Sequence, residues 1–153
     1  MDNRATGRSR RQRPYEFYRK LRILTVAGGF AFWVTTVITS LLPIAADYRA
    51  AFSNWSIQTV WIGSLFAGSI AGFCVSYTLL RFFERIPAKN PILKSVILSS
   101  LSLAIAIILI DIPMISHEPC GALRYFFIGA AFDAVRFLLL GLAVGYLYKR
   151  LCC

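Results

Sequence analysis

Acidic and imidazole side chains are scarce in this sequence, which holds seven Asp and Glu and a single histidine, His117, in 153 residues. One histidine cannot supply a cluster for a haem or di-metal centre, and so few carboxylates leave little equipment for acid-base catalysis. The four cysteines, Cys74, Cys120, Cys152 and Cys153, are too scattered for a disulfide scaffold and include no C-x-x-C pair, so the usual thiol-redox and zinc signatures are missing. No G-x-S-x-G, H-E-x-x-H, P-loop or G-x-G-x-x-G pattern occurs. The expectation from these absences is a protein that is not an enzyme, with no catalytic residues, no cofactor and no metal site. The stretch from Asp111 to Arg124 does gather Asp111, His117, Glu118 and Cys120, but their spacing fits no metal motif. It reads as a solvated turn.

What is abundant is apolar surface. Hydrophobic residues make up 58% of the chain, against roughly 45–50% in ordinary globular domains, and the mean hydropathy is +0.63. A soluble core of this size could not hide that much. The formal net charge of +10 would suit a nucleic-acid binder, yet the basic residues are not arranged as a binding stripe. Eight of them precede Ile23, and most others fill short gaps between apolar runs. Orientation signals of membrane proteins are arranged this way, so nucleic acid is not expected as a partner.

A hydrocarbon core about 30 Å thick requires roughly 20 apolar residues in a helix. Four segments meet that length: about 23–46, 55–80, 91–112 and 125–148. The first is too long for a signal-peptide h-region, which spans only about 7–15 residues. The third is extended by Pro91, suited to the first turn of a helix, and by Lys94, whose long side chain can snorkel to the bilayer edge. Strands are excluded because no alternating barrel pattern exists and an open sheet would leave backbone groups unpaired in lipid. The fold class expected is an all-α membrane protein, four transmembrane helices in a compact antiparallel bundle. It is preceded by a basic, largely disordered segment 1–22, in which Tyr15 to Arg22 can form an interfacial turn of helix on anionic headgroups, and followed by a short tail 149–153.

Orientation follows from the basic residues. Fourteen of the 17 Lys and Arg fall on one side of this topology, two, Arg49 and Arg124, fall on the other, and Arg136 lies within the fourth span. By the positive-inside rule both termini are cytoplasmic, in an integral protein of the cell membrane. Aromatic residues at the expected boundaries, Tyr48, Phe52, Trp55, Tyr125 to Phe127, Tyr146 and Tyr148, read as interfacial anchors. The partners expected on this side are the bilayer itself and anionic headgroups facing the basic N-terminus.

Helices in lipid associate through small residues that let backbones approach. Ser64, Gly68, Gly72 and Ser76 recur every fourth residue in the second span, and Gly141 and Gly145 repeat the pattern in the fourth. These faces serve either packing inside the bundle or association with a second copy or a larger membrane protein. The leading functional expectation is accordingly a small accessory or assembly subunit that associates through them, as a homo-oligomer or with a larger partner. The alternative is a transporter or channel subunit, and it rests on Asp133 and Arg136. Their i, i+3 spacing puts them on one helix face deep in the fourth span. A lone charge at such depth costs roughly 2.5–3.5 kcal/mol on insertion scales, so the two should pair. Whether the pair is a structural knot, with Arg136 also reaching hydroxyls such as Thr35, Thr36, Thr39 or Ser102, or a functional site is left open by the residues alone.

Overall fold

The structure, a computed structural model, describes residues 14–52, 56–83, 90–111 and 122–152, and they are almost entirely helical. His117, Glu118, Cys120 and Trp55 lie outside the described residues, as do the side chains of Tyr48, Phe52, Asp111 and Tyr125. Five α-helices follow in order: α1 (Pro14–Ser40), α2 (Pro43–Phe52), α3 (Ile57–Phe82), α4 (Pro91–Ala106) and α5 (Ala122–Cys152). A π-helical turn, Ile107–Asp111, prolongs α4.

Prolines start three of these helices, at positions where the missing N–H is not needed. Pro43 explains the chief departure from the expected boundaries. The first helix does not run from 23 to 46. It starts at Pro14, making continuous with the span the residues Tyr15 to Arg22 expected only as an interfacial turn, and stops at Ser40. A proline at 43 would break the helical hydrogen bond to Thr39 and clash with its carbonyl. The chain instead tightens through short bonds from the Leu41 and Leu42 amides to Ile38 and Thr39, at 3.3 and 3.2 Å, and restarts as α2. Trp61 Nε1 then donates to Ser40 Oγ at 2.9 Å and ties the start of α3 to the end of α1. Ser56 caps α3, accepting from the Thr59 amide at 3.3 Å.

Among the described residues four helical stretches are long and apolar enough to cross a membrane: Tyr15–Ser40, Ile57–Phe82, Pro91–Leu109 and Phe126–Leu151. At 1.5 Å per residue the shortest, 19 residues, rises about 29 Å and so matches the hydrocarbon core. Their surfaces agree with this role, since large apolar side chains such as Val26, Phe30, Phe66 and Leu109 stand mostly exposed. Water would not tolerate so continuous an apolar exterior.

Contacts between the helices are uneven. α1 packs extensively on both α3 and α5, α4 packs on α5, and α3 touches α4 far less. Leu24, Phe32, Val75, Leu79, Phe137, Leu140, Val144 and Tyr148 form the buried core. Phe32 and Phe137 meet edge to face, with centroids 5.5 Å apart.

Two side chains depart from their expected places. Lys94 does not reach the bilayer edge. It is only 6% exposed, donates from Nζ to the carbonyl of Phe83 and stands 3.7 Å from the centroid of the Phe83 ring. Side chains lean toward the N-terminus of their helix, and there Lys94 meets the unsatisfied carbonyl at the end of α3 before it can reach headgroups. Tyr148 is likewise buried, stacked on Phe83 with centroids 4.9 Å apart, and is not an interfacial anchor. Tyr146 and Phe127 are exposed.

Candidate functional site

The small-residue faces determine which helix surfaces stay open. Ser64, Gly68, Gly72 and Ser76 are all buried, and their neighbours belong to the same chain. A Cβ added at Gly72 would stand 2.9 Å from the Thr25 carbonyl oxygen and 3.0 Å from the Gly29 amide nitrogen. One added at Gly68 would meet Phe32 Cδ1 at 2.9 Å and the Gly29 carbonyl oxygen at 3.1 Å. On α5, a Cβ at Gly141 would approach Ser99 Oγ to 2.6 Å, and one at Gly145 would approach Ile92 Cα to 2.8 Å. Glycine is needed at these places because two backbones have closed the space. The glycines of both stripes are thus filled by intramolecular packing, α3 against α1 and α5 against α4, while Ser64 at the start of the first stripe also lines an open cleft.

α3 carries a second small face, turned one residue from the first. Gly63, Ala67, Ala71 and Cys74 line a cleft of about 660 Å³. A Cβ at Gly63 would meet nothing within 4 Å. Thr59 and Val60 stand at one end of this wall, Ser102, Ile105 and Ala106 of α4 form the facing side, and Phe32 and Thr36 come from α1. At the Lys94 end α3 and α4 meet, with Lys94 standing over Phe83, whereas the residues lining the cleft lie toward the Trp61 end of α3 and on the far half of α4. The cleft is therefore a wedge that widens toward the Trp61 end.

Asp133 and Arg136 line this wedge together with Phe137. Arg136 Nη1 donates to Asp133 Oδ1 at 2.7 Å, and the two side chains keep 21% and 23% of their surface exposed. Counted from Phe126, where the fourth span begins, they lie about 11 and 15 Å along it, near mid-depth of a core about 30 Å thick. The contact uses one carboxylate oxygen and one terminal guanidinium nitrogen, so it is simpler than the two-point fork these groups can form. Arg136 Nε is buried with no acceptor, and an unsatisfied buried donor costs about 1–3 kcal/mol.

The hydroxyls expected to help Arg136 do other work. Thr35, Thr36 and Thr39 each donate to a carbonyl one turn back on α1, at 2.7, 3.0 and 2.9 Å, the usual way a threonine satisfies itself inside a helix. Ser102 and Thr36 line the cleft with the charged pair, but the hydrogen-bond partner of Arg136 among the described residues is Asp133. Pairing was legible from the i, i+3 spacing, whereas the cleft was not. Its one sequence signal is the second small face of α3, hidden beside the more regular first one. Among the described residues no three His, Cys, Asp or Glu side chains gather as a metal site. No protein family, curated protein or solved structure matches the chain.

Proposed function

We propose that this small multi-pass membrane protein works through the wedge-shaped cleft, as a transporter or channel subunit whose polar site is the Asp133–Arg136 pair. The observation that carries this reading is that the pair lines an open cleft of about 660 Å³ at mid-membrane depth. A purely structural ion pair would be expected to face a closed interior, where each remaining donor finds an acceptor. Here a singly charged solute or a proton can replace one arm of the pair: an anion competes with Asp133 for the guanidinium, or a proton takes the carboxylate. α3 and α4 meet at the Lys94 end, where Lys94 contacts Phe83, and this favours binding followed by a conformational step over an open pore.

In this reading the four spans form a compact antiparallel bundle with both termini cytoplasmic. The order of contacts supports the arrangement: Gly28 approaches Gly72, Phe32 approaches Gly68, and Ser40 meets Trp61, so α1 ascends as α3 descends. The basic-residue asymmetry supports the direction. The accessory role loses much of its first support, since the glycines of both small-residue stripes are occupied within the chain. One observation keeps it as a second reading, the open Gly63 wall, where a partner helix could lie.

Reconstitution in liposomes separates the two. Proton and small-anion flux should be present with the native chain and lost in Asp133→Asn and Arg136→Gln while both variants remain helical. Native flux indistinguishable from empty liposomes, together with cross-linking of the Gly63 wall to an unrelated membrane protein, would establish the accessory role in its place.

A further inference from the structure

A second cavity, of about 710 Å³, lies between the start of α1 and the end of α3, remote in sequence from the charged pair. Arg22 from α1 and Arg81 from α3 both line it, with Tyr18 and Tyr77, and its apolar floor includes Val26 and Phe73. Both arginines are exposed, and neither makes an ion pair with another described residue. Two guanidiniums on one cavity repel each other unless an anion stands with them. The aromatic side is ordered, since Phe73 stacks on Tyr77 with centroids 6.0 Å apart and Phe17 meets Tyr77 edge to face at 6.3 Å.

We propose that this groove binds one anionic glycerophospholipid. Its phosphodiester is held by Arg22 and Arg81, and an acyl chain runs along Phe73 and Val26. The chemistry of the two halves decides the class. A free phosphate would gain nothing from the apolar floor, and a zwitterionic lipid would bring its own ammonium against two guanidiniums. The position fits as well, because both arginines end the apolar part of their helices, where headgroups lie. Basic pockets between spanning helices are a recurrent setting for anionic headgroups, and guanidinium suits phosphate geometrically. The site is distinct from general attraction to the basic N-terminus, since half of its charge comes from the far end of another helix. It does not depend on what the Asp133 cleft carries.

The test is native mass spectrometry of the full chain in mild detergent, titrated with phosphatidylglycerol and with phosphatidylcholine of the same acyl chains. One phosphatidylglycerol should be retained per chain, about 30-fold more tightly than phosphatidylcholine if each arginine contributes as basic residues do at a membrane surface. Arg22→Gln and Arg81→Gln should each lower that preference about 5-fold, and the double variant should abolish it. Lys149→Gln with Arg150→Gln, which are basic and exposed but do not line the groove, should leave it unchanged. Equal binding of the two lipids by the native chain would overturn the proposal. So would an unaltered preference in the double variant, or displacement of the lipid by glycerol phosphate alone.

Discussion

Replacing glycines one at a time provides a quantitative test of where the small-residue faces are used. At Gly72 an added methyl would sit 2.9 Å from the Thr25 carbonyl oxygen and 3.0 Å from the Gly29 amide nitrogen, and both are backbone atoms that cannot swing aside. At Gly145 the obstacle is again backbone, Ile92 Cα at 2.8 Å. Overpacking of this kind costs about 1–3 kcal/mol. At Gly63 nothing stands within 4 Å, so alanine there keeps only its advantage in helix propensity, up to about 1 kcal/mol. Gly72→Ala and Gly145→Ala should therefore destabilise the chain by about 1–3 kcal/mol, while Gly63→Ala is neutral or mildly stabilising. Unfolding by titration with a denaturing detergent, followed by circular dichroism, measures the series. Run at two protein concentrations about tenfold apart, it also separates internal packing from association, because the midpoint of a self-associating chain shifts with concentration. A Gly72→Ala variant as stable as the native chain, or a concentration-dependent midpoint that Gly72→Ala abolishes, would refute the assignment of these faces to internal packing.

Other consequences can be measured in the same preparation. Asp133→Asn or Arg136→Gln alone leaves one charge in the cleft and should cost about 1–3 kcal/mol, and a double-mutant cycle should return a favourable coupling. Lys94→Met removes the donation to the Phe83 carbonyl and the cation over its ring, and should lower stability by about 1–2 kcal/mol in the same titration. Trp61→Phe loses the bond to Ser40 and should cost about 1 kcal/mol. With Cys120, Cys152 and Cys153 changed to serine, Cys74 should react with a small water-soluble maleimide applied from the Trp61 side, and Gly63→Phe should slow that reaction. Equal labelling rates in the two chains would show that solvent does not reach Cys74 through the cleft.

Much of the architecture was legible because membrane spans are written in length and charge. Ile57–Phe82 and Pro91–Leu109 lie close to the stretches that hydropathy alone marks out. The misplaced boundaries of α1 have a local cause. Charge before Ile23 was read as the end of a helix, although an arginine or lysine can continue a helix past the bilayer edge without penalty, and the break at Pro43 fell where the apolar run had not yet ended. Lys94 and Tyr148 escaped for a different reason: each is settled by Phe83, a residue at the end of another helix that becomes a neighbour only when α3 meets α4 and α5. The pairing of Asp133 with Arg136 needed only helix geometry. The space beside it depends on two helices diverging, and no periodicity within either one records that.

The uneven contacts among the helices also bear on how the chain comes together. The Gly68 and Gly72 seam joins α1 to the next span synthesised, and the Gly141 and Gly145 seam joins α4 to the one after it. Each seam closes between consecutive spans, so two hairpins can assemble separately as they leave the insertion machinery. They then dock mainly along α1 and α5. A chain severed between α3 and α4 and expressed as two fragments should accordingly reunite in the membrane, with the wedge as the gap left between two halves that were never zipped along their full length.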